Sequence, residues 1–301
     1  QGKFADALKP LKMLLVLNDK NPSTWNNLAL TYQKLNESEN KILKCYLKAL
    51  ENFNKSENLI IAGNFLNFLN KNKKYSEIIE IYDSLNLNHI ENRELFSKNF
   101  SIQEIYLRAL RKLNKFDDYI KVAKDLYNIT TDKTNRVFIL NDLVFVYSTD
   151  LYSYDMIIKY STELENCISS VENKEIQMKI LNNVIFSKLE TDQFISHDKL
   201  NYFRSHLDRN PFYNATYGLF CLKNKNIQKG VNLYNKAIGF AYSEDLKDKL
   251  RVKKNLEIGK AYISLNSFQT AKYYLEKVIK NTKYSYYKDQ AERIISENII
   301  K

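Results

Sequence analysis

Few side chains in this sequence have the types and spacing that catalysis or metal binding requires. The three histidines, His89, His197 and His206, show no spacing that suits a metal site or a catalytic base. The 6 glycines never cluster, which excludes a phosphate-binding loop built on glycine. We therefore predict that the chain is not an enzyme and that it needs no cofactor.

The cysteines point to a packing role rather than a chemical one. Cys45, Cys167 and Cys221 form an odd and widely scattered set, which argues against a disulfide framework. Cys45 and Cys221 each fall at an apolar position of a helical pattern, where a small side chain packs well. We expect both thiols to be buried and reduced.

The composition predicts that helices position these side chains. The 301 residues include only 6 Gly and 3 Pro, where average usage would give about 21 and 15. Sandwiches, barrels and doubly wound sheets depend on glycine turns, so an all-α fold remains. A hydrophobic content of 44% argues against disorder. No apolar run approaches the ~18–20 residues that a membrane-spanning helix needs.

Pairs of amphipathic helices recur along the chain. Near its end, Ile258, Gly259 and Tyr262 share one helix face, Asn266 interrupts the period, and a second amphipathic run follows. Similar pairs of runs lie upstream, at Leu28 and Ile42, Leu66 and Ile78, Leu110 and Tyr119, Leu143 and Ile157, Ile185 and Leu200, and Tyr217 and Ile227. Such a period indicates stacked helical repeats.

These helix pairs resemble a known repeat, the tetratricopeptide repeat, in degenerate copies over most of the chain, most strongly at its two ends. The first helix of that pattern is matched by Trp25, Leu28, Ala29 and Tyr32. Its turn region is matched by Gly259, Tyr262, Asn266, Phe268 and Ala271. The family's closing proline survives only as Pro22 and Pro211. The resemblance implies a right-handed superhelical solenoid of antiparallel helix pairs, with about sixteen helices. We expect one repeat array over residues 1–301 that starts within a repeat, and a capping helix over 284–300.

In this family the first helices of the pairs line a concave groove, so the resemblance also implies candidate binding residues. The positions that point into the groove are occupied by Asn26, Asn67, Asn70, Arg108, Arg111, Asn141, Lys253 and Lys260. Amide side chains can hydrogen-bond an extended peptide backbone without specifying its sequence. Arg108, Arg111 and Lys260 can bind carboxylates.

The resemblance implies a non-enzymatic protein–protein interaction scaffold that binds a peptide or partner domain in this groove. Two alternatives stay open. One is the ligand- or peptide-sensing domain of a bacterial regulator with a DNA-binding region upstream. The other is a periplasmic or lipid-anchored envelope-assembly factor with a signal upstream. We favour a cytoplasmic over a periplasmic location.

Positive charge is concentrated in the last third of the chain. The net charge is +11, and residues 201–301 contribute +10 of it, from 19 Lys/Arg and 9 Asp/Glu. A candidate basic surface consists of Lys247, Lys249, Arg251 and Lys254. The first interpretation of this charge is a merely solvated lysine surface. If the surface binds a partner, an acidic protein comes ahead of nucleic acid or an anionic membrane. We expect that Lys253 shares this exposed surface, so that reversing its charge leaves the core untouched.

Overall fold

The structure is a computed structural model that describes residues 2–51, 58–88 and 99–299. Within these ranges the regular secondary structure is helical and contains no strand, which confirms the all-α prediction. The described residues form sixteen α-helices, which are α1 (Gly2–Leu17), α2 (Pro22–Lys34), α3 (Glu39–Glu51), α4 (Asn58–Lys71), α5 (Tyr75–Asn88), α6 (Phe100–Lys112), α7 (Phe116–Ile129), α8 (Lys133–Val146), α9 (Tyr154–Cys167), α10 (Lys174–Glu190), α11 (His197–Arg204), α12 (Pro211–Lys223), α13 (Ile227–Phe240), α14 (Glu244–Ile263), α15 (Phe268–Asn281) and α16 (Ser285–Asn298).

One type of turn joins most of the helix pairs. Between α14 and α15, Asn266 has a φ of 55°, and the N–H of Ser267 donates to the carbonyl of Tyr262 at 2.9 Å. The other turns of this type place their left-handed residue at Asn36, Lys73, Asn114, Asp192 and Lys225. Asparagine and aspartate visit this conformation more readily than most other non-glycine residues. A chain so poor in glycine therefore still builds regular turns.

Asparagine also starts several helices. The side chain of Asn21 accepts from the N–H of Thr24 at 2.9 Å, and that of Asn210 accepts from the N–H of Tyr213 at 3.2 Å. Pro22 and Pro211 follow directly as first helical residues, where the missing N–H of proline removes no helical bond. These caps begin α2 and α12, each the first helix of a pair.

The chain divides into two compact units, residues 1–139 and 140–301. In unit 1, α2, α4 and α6 pack successively on one another, and each also packs on the helix that follows it. Buried aromatic pairs join neighbouring helices there, such as Tyr46 and Phe65 with ring centroids 5.0 Å apart.

Unit 2 repeats this arrangement. Helices α10, α12, α14 and α16 pack successively on one another, while α11, α13 and α15 each pack beside their own first helix. The last helix, α16, contacts both α14 and α15. One array over residues 1–301, its start within a repeat and the capping role of residues 284–300 stay predictions.

Small residues bring paired helices close together in unit 2. A Cβ atom on Gly230 of α13 would lie 3.0 Å from the carbonyl oxygen of Gly218 on α12. A Cβ atom on Gly259 would lie 2.7 Å from the side chain of Leu275. Since real Cβ atoms avoid such distances, these positions require glycine, as the sequence pattern at Gly259 predicts.

One irregular segment was not predicted from the sequence. Residues Tyr147–Leu151 form a π-helical turn after α8, and Tyr152 follows with a left-handed φ of 52°. Its ring stacks on that of Tyr286. No helix in the described part of the chain has the length and apolar character needed to cross a membrane.

Candidate functional site

A groove of about 460 Å³ lies between α4 and α6 in unit 1. We call it the α4–α6 groove. It brings together three of the predicted binding residues, which are Asn67, Asn70 and Arg108. Gly63 and Asn64 of α4 and Glu104 of α6 also line it.

The amide side chains of the groove divide into bonded and unbonded ones. Asn64 donates to the side-chain oxygen of Asn26 at 3.1 Å, and the Asn99 side chain caps the first turn of α6 by accepting from Ile102. Asn67 is exposed and Asn70 partly exposed, and neither side chain forms a hydrogen bond within the described residues. Each therefore keeps two N–H donors and a carbonyl acceptor for a ligand.

The predicted accessibility of Asn26 is corrected by the structure. Asn26 is only 6% exposed because α2 packs directly on α4. The side-chain N–H of Asn64 donates to the side-chain oxygen of Asn26. Asn141 of unit 2 has a similar bond, since it accepts from Asn183 at 2.9 Å. At these two positions the amide links neighbouring first helices.

The charges in the groove balance each other. The Arg108 guanidinium lies 2.8 Å from a Glu104 carboxylate oxygen, one helical turn away, and both side chains are about half exposed. An exposed pair of this kind contributes little to stability, about 0–1 kcal/mol. Arg111 lies outside the lining of the groove. The groove thus presents no net charge to a ligand.

An apolar strip completes the groove. Ile60, in the first turn of α4, is 67% exposed, and Leu59 and Ile105, which also line the groove, are partly exposed. Exposed aliphatic side chains next to unbonded amides favour a ligand that offers both a peptide backbone and apolar side chains.

Lys253 occupies a very different environment in unit 2. Its ammonium group lies 2.8 and 2.9 Å from the two oxygens of Glu190 and 2.9 Å from Glu257. Lys260 donates to the same Glu257 oxygen at 2.9 Å. We call these four residues the Lys253 cluster. Glu190 comes from α10 and the other three from α14, so the cluster ties two first helices together.

Burial and charge act in opposite directions on the cluster. Burial alone would lower the pKa of Lys253, but the carboxylates of Glu190 and Glu257 hold it well above the ordinary lysine value. Burial alone would raise the pKa of Glu257, but Lys253 and Lys260 hold it below the ordinary value. Both groups are therefore charged at neutral pH. The rings of Phe186 and Tyr287, each 5.9 Å from the Lys253 ammonium, add cation–π contacts.

The prediction that Lys253 is exposed is wrong. The side chain is only 7% exposed because it points between α10 and α14 rather than outward. Charge reversal at this position would place a third carboxylate beside Glu190 and Glu257. The ion pairs within α14 could have been predicted from the sequence, since Lys253 and Glu257 have i,i+4 spacing and Glu257 and Lys260 have i,i+3 spacing. Glu190 was missed because it lies 63 positions away in the chain.

The candidate basic surface is a face of mixed charge. Lys247 lies 2.6 Å from Glu244, and Arg251 lies 2.7 Å from Asp248. Lys254 donates to Asn235 at 3.0 Å, and burial, with Arg251 and Lys277 nearby, lowers its pKa. Lys249 acts electrostatically on Asp245. Acidic neighbours thus offset much of the positive charge that the sequence places on α14.

The predicted placement of the two core cysteines is confirmed. Cys45 and Cys221 are buried free thiols, and burial raises the pKa of Cys45 to about 11 and also raises that of Cys221. His89 lies outside the described residues. Among the residues the structure describes, no three His, Cys, Asp or Glu side chains are grouped as metal ligands.

No family model matches the sequence. No curated protein matches it either. Among solved structures, the chain is similar to the crystal structure of yeast Tom70, with 11% identity, a TM-score of 0.29, and coverage of 99% of this chain and 93% of that chain. Because this TM-score is low, the helical-repeat description rests on the turns and helix rows of the chain itself.

Proposed function

We propose that the chain is a tetratricopeptide-like protein–protein interaction scaffold, and that the α4–α6 groove binds an extended peptide segment of a partner. The role is binding rather than catalysis, since the groove offers amides, an ion pair and aliphatic side chains. Its volume of about 460 Å³ falls within the usual range of binding clefts.

The observation that carries this proposal is that the side-chain amides of Asn67 and Asn70 form no hydrogen bond with residues 2–51, 58–88 or 99–299. An amide side chain donates and accepts hydrogen bonds just as a peptide group does, so it can pair with a backbone of any sequence. The two residues are three positions apart on α4 and therefore lie on adjacent parts of one helix face. An extended backbone that follows α4 can meet both.

The charge balance of the groove shapes the partner we propose. Arg108 attracts a carboxylate, but Glu104, 2.8 Å from it, repels one. We therefore propose a segment whose affinity comes from backbone hydrogen bonds and from apolar side chains on Ile60 and Ile105, with no acidic residue required.

The proposal is tested by selecting binders from a library of short random peptides displayed on phage. The test variant carries Asn67→Ala, Asn70→Ala and Arg108→Ala. Loss of two amide hydrogen bonds should weaken binding of a selected peptide by about tenfold or more. The matched control carries Asn40→Ala, Asn128→Ala and Lys121→Ala, which change two exposed amides and one exposed cation on α3 and α7.

The control variant should bind the selected peptides as the parent does. If selection yields no peptide, or if both triple variants bind as the parent does, the α4–α6 groove is not the binding site. Circular dichroism of both variants establishes that they are equally folded.

A further inference from the structure

A second cavity, of about 280 Å³, lies in unit 2 beside the Lys253 cluster. We call it the α14 pocket. Side chains of α10, α12, α14 and α16 and of the turn after α10 converge on it. Three of its lining side chains are cationic, Lys223, Lys260 and Arg293, and two are anionic, Glu190 and Asp192.

The cations of the pocket have donors to spare. Lys260 uses one N–H on Glu257 at 2.9 Å and makes a long contact of 3.5 Å to Gln290, which leaves a third donor. Among the described residues, the carboxylate nearest to Arg293 is that of Glu297 at 3.9 Å, beyond hydrogen-bond distance. A carboxylate that enters the pocket can therefore be met from two helices, α14 and α16.

The anions of the pocket keep acceptor capacity. Asp192 accepts one bond from Lys223 at 2.6 Å, and its side chain is 83% exposed at the rim. The Glu190 side chain is 9% exposed and accepts two bonds from Lys253, one on each oxygen. Since a carboxylate offers about four lone-pair sites, both residues can accept from a ligand ammonium group as well.

Charge balance then selects the class of ligand. A simple anion would meet Glu190 and Asp192, and a simple cation would meet Lys260 and Arg293. Such like-charge contacts cost most at Glu190, whose side chain is 9% exposed and poorly screened by water, and least at the exposed Asp192 and Arg293. A ligand with one carboxylate and one ammonium group satisfies both sets. Ile263 and Ile294 provide an apolar wall for an aliphatic group.

We propose that the α14 pocket binds a free α-amino acid with an aliphatic side chain. Its carboxylate pairs with Lys260 and Arg293, its ammonium group faces Asp192 and Glu190, and its side chain lies on the isoleucine wall. An α-amino acid carries both charges on one carbon, so both fit within a cavity of this volume. This site is separate from the α4–α6 groove and does not depend on the proposed peptide binding.

The probes are leucine, N-acetylleucine, which lacks the ammonium group, and leucinamide, which lacks the carboxylate. Binding to the whole chain is measured by isothermal titration calorimetry, and the methyl resonances of labelled isoleucine report the location. We expect saturable leucine binding that shifts the Ile263 and Ile294 methyls. Each analogue should bind at least about tenfold more weakly, because each leaves one set of charges unpaired.

Two rim variants test the assigned contacts without touching the buried cluster. Arg293→Met removes a carboxylate donor, and Asp192→Asn removes an ammonium acceptor while asparagine tolerates the left-handed backbone at this position. Each should weaken leucine binding about tenfold. Lys247→Met, a cation of α14 outside the pocket, is the matched control and should bind leucine normally.

Absence of saturable leucine binding would overturn the proposal. So would an analogue that binds as tightly as leucine, or rim variants that bind leucine as the control does. Any of these results leaves the peptide test in unit 1 unaffected, so the two ideas fail separately.

Discussion

The α4–α6 groove and the Lys253 cluster are built from corresponding first helices, yet they use polar side chains in opposite ways. In the groove, Asn67 and Asn70 are uncharged and accessible, and their side chains form no hydrogen bond with the part of the chain that the structure describes. In the cluster, Lys253 and Glu257 are charged, buried and fully engaged. The same helical framework therefore leaves polar groups free for a partner in one unit and ties helices together with them in the other.

The two units should differ most in the stability that is lost when one cation is removed from each. Lys253→Met leaves Glu190 and Glu257 as buried charges without their main partner, which should cost about 3–5 kcal/mol of stability. Arg108→Met breaks an exposed ion pair and should change stability by no more than about 1 kcal/mol. Hydrogen exchange of α14 and α6 amides measures both effects. Equal protection of α14 in the parent and in Lys253→Met would show that the cluster does not stabilise this helix.

A glycine substitution in each unit should give effects of opposite sign. Gly230→Ala forces a Cβ atom to 2.6 Å from Leu222 and 3.0 Å from a backbone oxygen, which should cost about 1–3 kcal/mol. Gly63→Ala meets nothing nearer than Ile102 at 3.9 Å, so its higher helix propensity should stabilise α4 by up to about 1 kcal/mol.

Urea unfolding measures both glycine variants. The single tryptophan, Trp25, lies in unit 1, so its fluorescence follows the unit that contains Gly63. Far-UV circular dichroism follows the Gly230 variant. A destabilised Gly63→Ala variant would mean that the groove floor is tighter than this structure shows.

These comparisons also show which structural features can be predicted from the sequence. Helical periodicity predicted the helix pairs, because burying one face of each helix is a local requirement that leaves a local pattern. The repeat resemblance, rather than periodicity, supplied three residues that line the groove, Asn67, Asn70 and Arg108, because it implies which positions of a first helix face inward.

Long-range pairing set the limit of the sequence predictions. Lys253 occupies a groove position in the repeat pattern, but Glu190 from an earlier helix draws its ammonium group inward. Asn26 is likewise buried by Asn64, 38 positions away. Whether a polar residue on a first helix faces a ligand or a neighbouring helix depends on what the neighbouring helix offers, and periodicity does not contain that information.

The pH dependence of stability in unit 2 should follow the titration of the Lys253 cluster. The folded-state pKa of Glu257 is lowered from 4.5 to about 2, so its contribution is present above about pH 4.5 and is lost as the pH falls towards 2. The folded-state pKa of Lys253 is raised above 10.5, so its contribution is present below that value and is lost as the pH rises through the folded-state pKa.

Hydrogen exchange of α14 amides at pH 7, 4 and 3 measures the loss of stability that we expect in acid. Protection of α14 amides should fall in the parent across this range and fall less in Glu257→Gln, which cannot titrate at this position. Equal slopes in both proteins would show that another carboxylate causes the loss of stability.

We expect the smallest difference between the units in thiol reactivity, because each unit contains one buried cysteine. Cys45 and Cys221 should react slowly with a thiol reagent in the folded chain, because both are buried and their raised pKa values leave little thiolate at neutral pH. Cys167 is partly exposed and should react first. Mass spectrometry of labelled peptides separates the three, and rapid labelling of Cys45 or Cys221 would contradict their burial.

The central claim is that free amides of the α4–α6 groove hold the backbone of a partner segment. A crystal structure of the chain with a selected peptide tests it most directly. The account predicts an extended peptide along α4, with its backbone hydrogen-bonded to the side chains of Asn67 and Asn70 and an apolar residue on Ile60. A peptide bound elsewhere, or held in the groove with both amides unbonded, would contradict it.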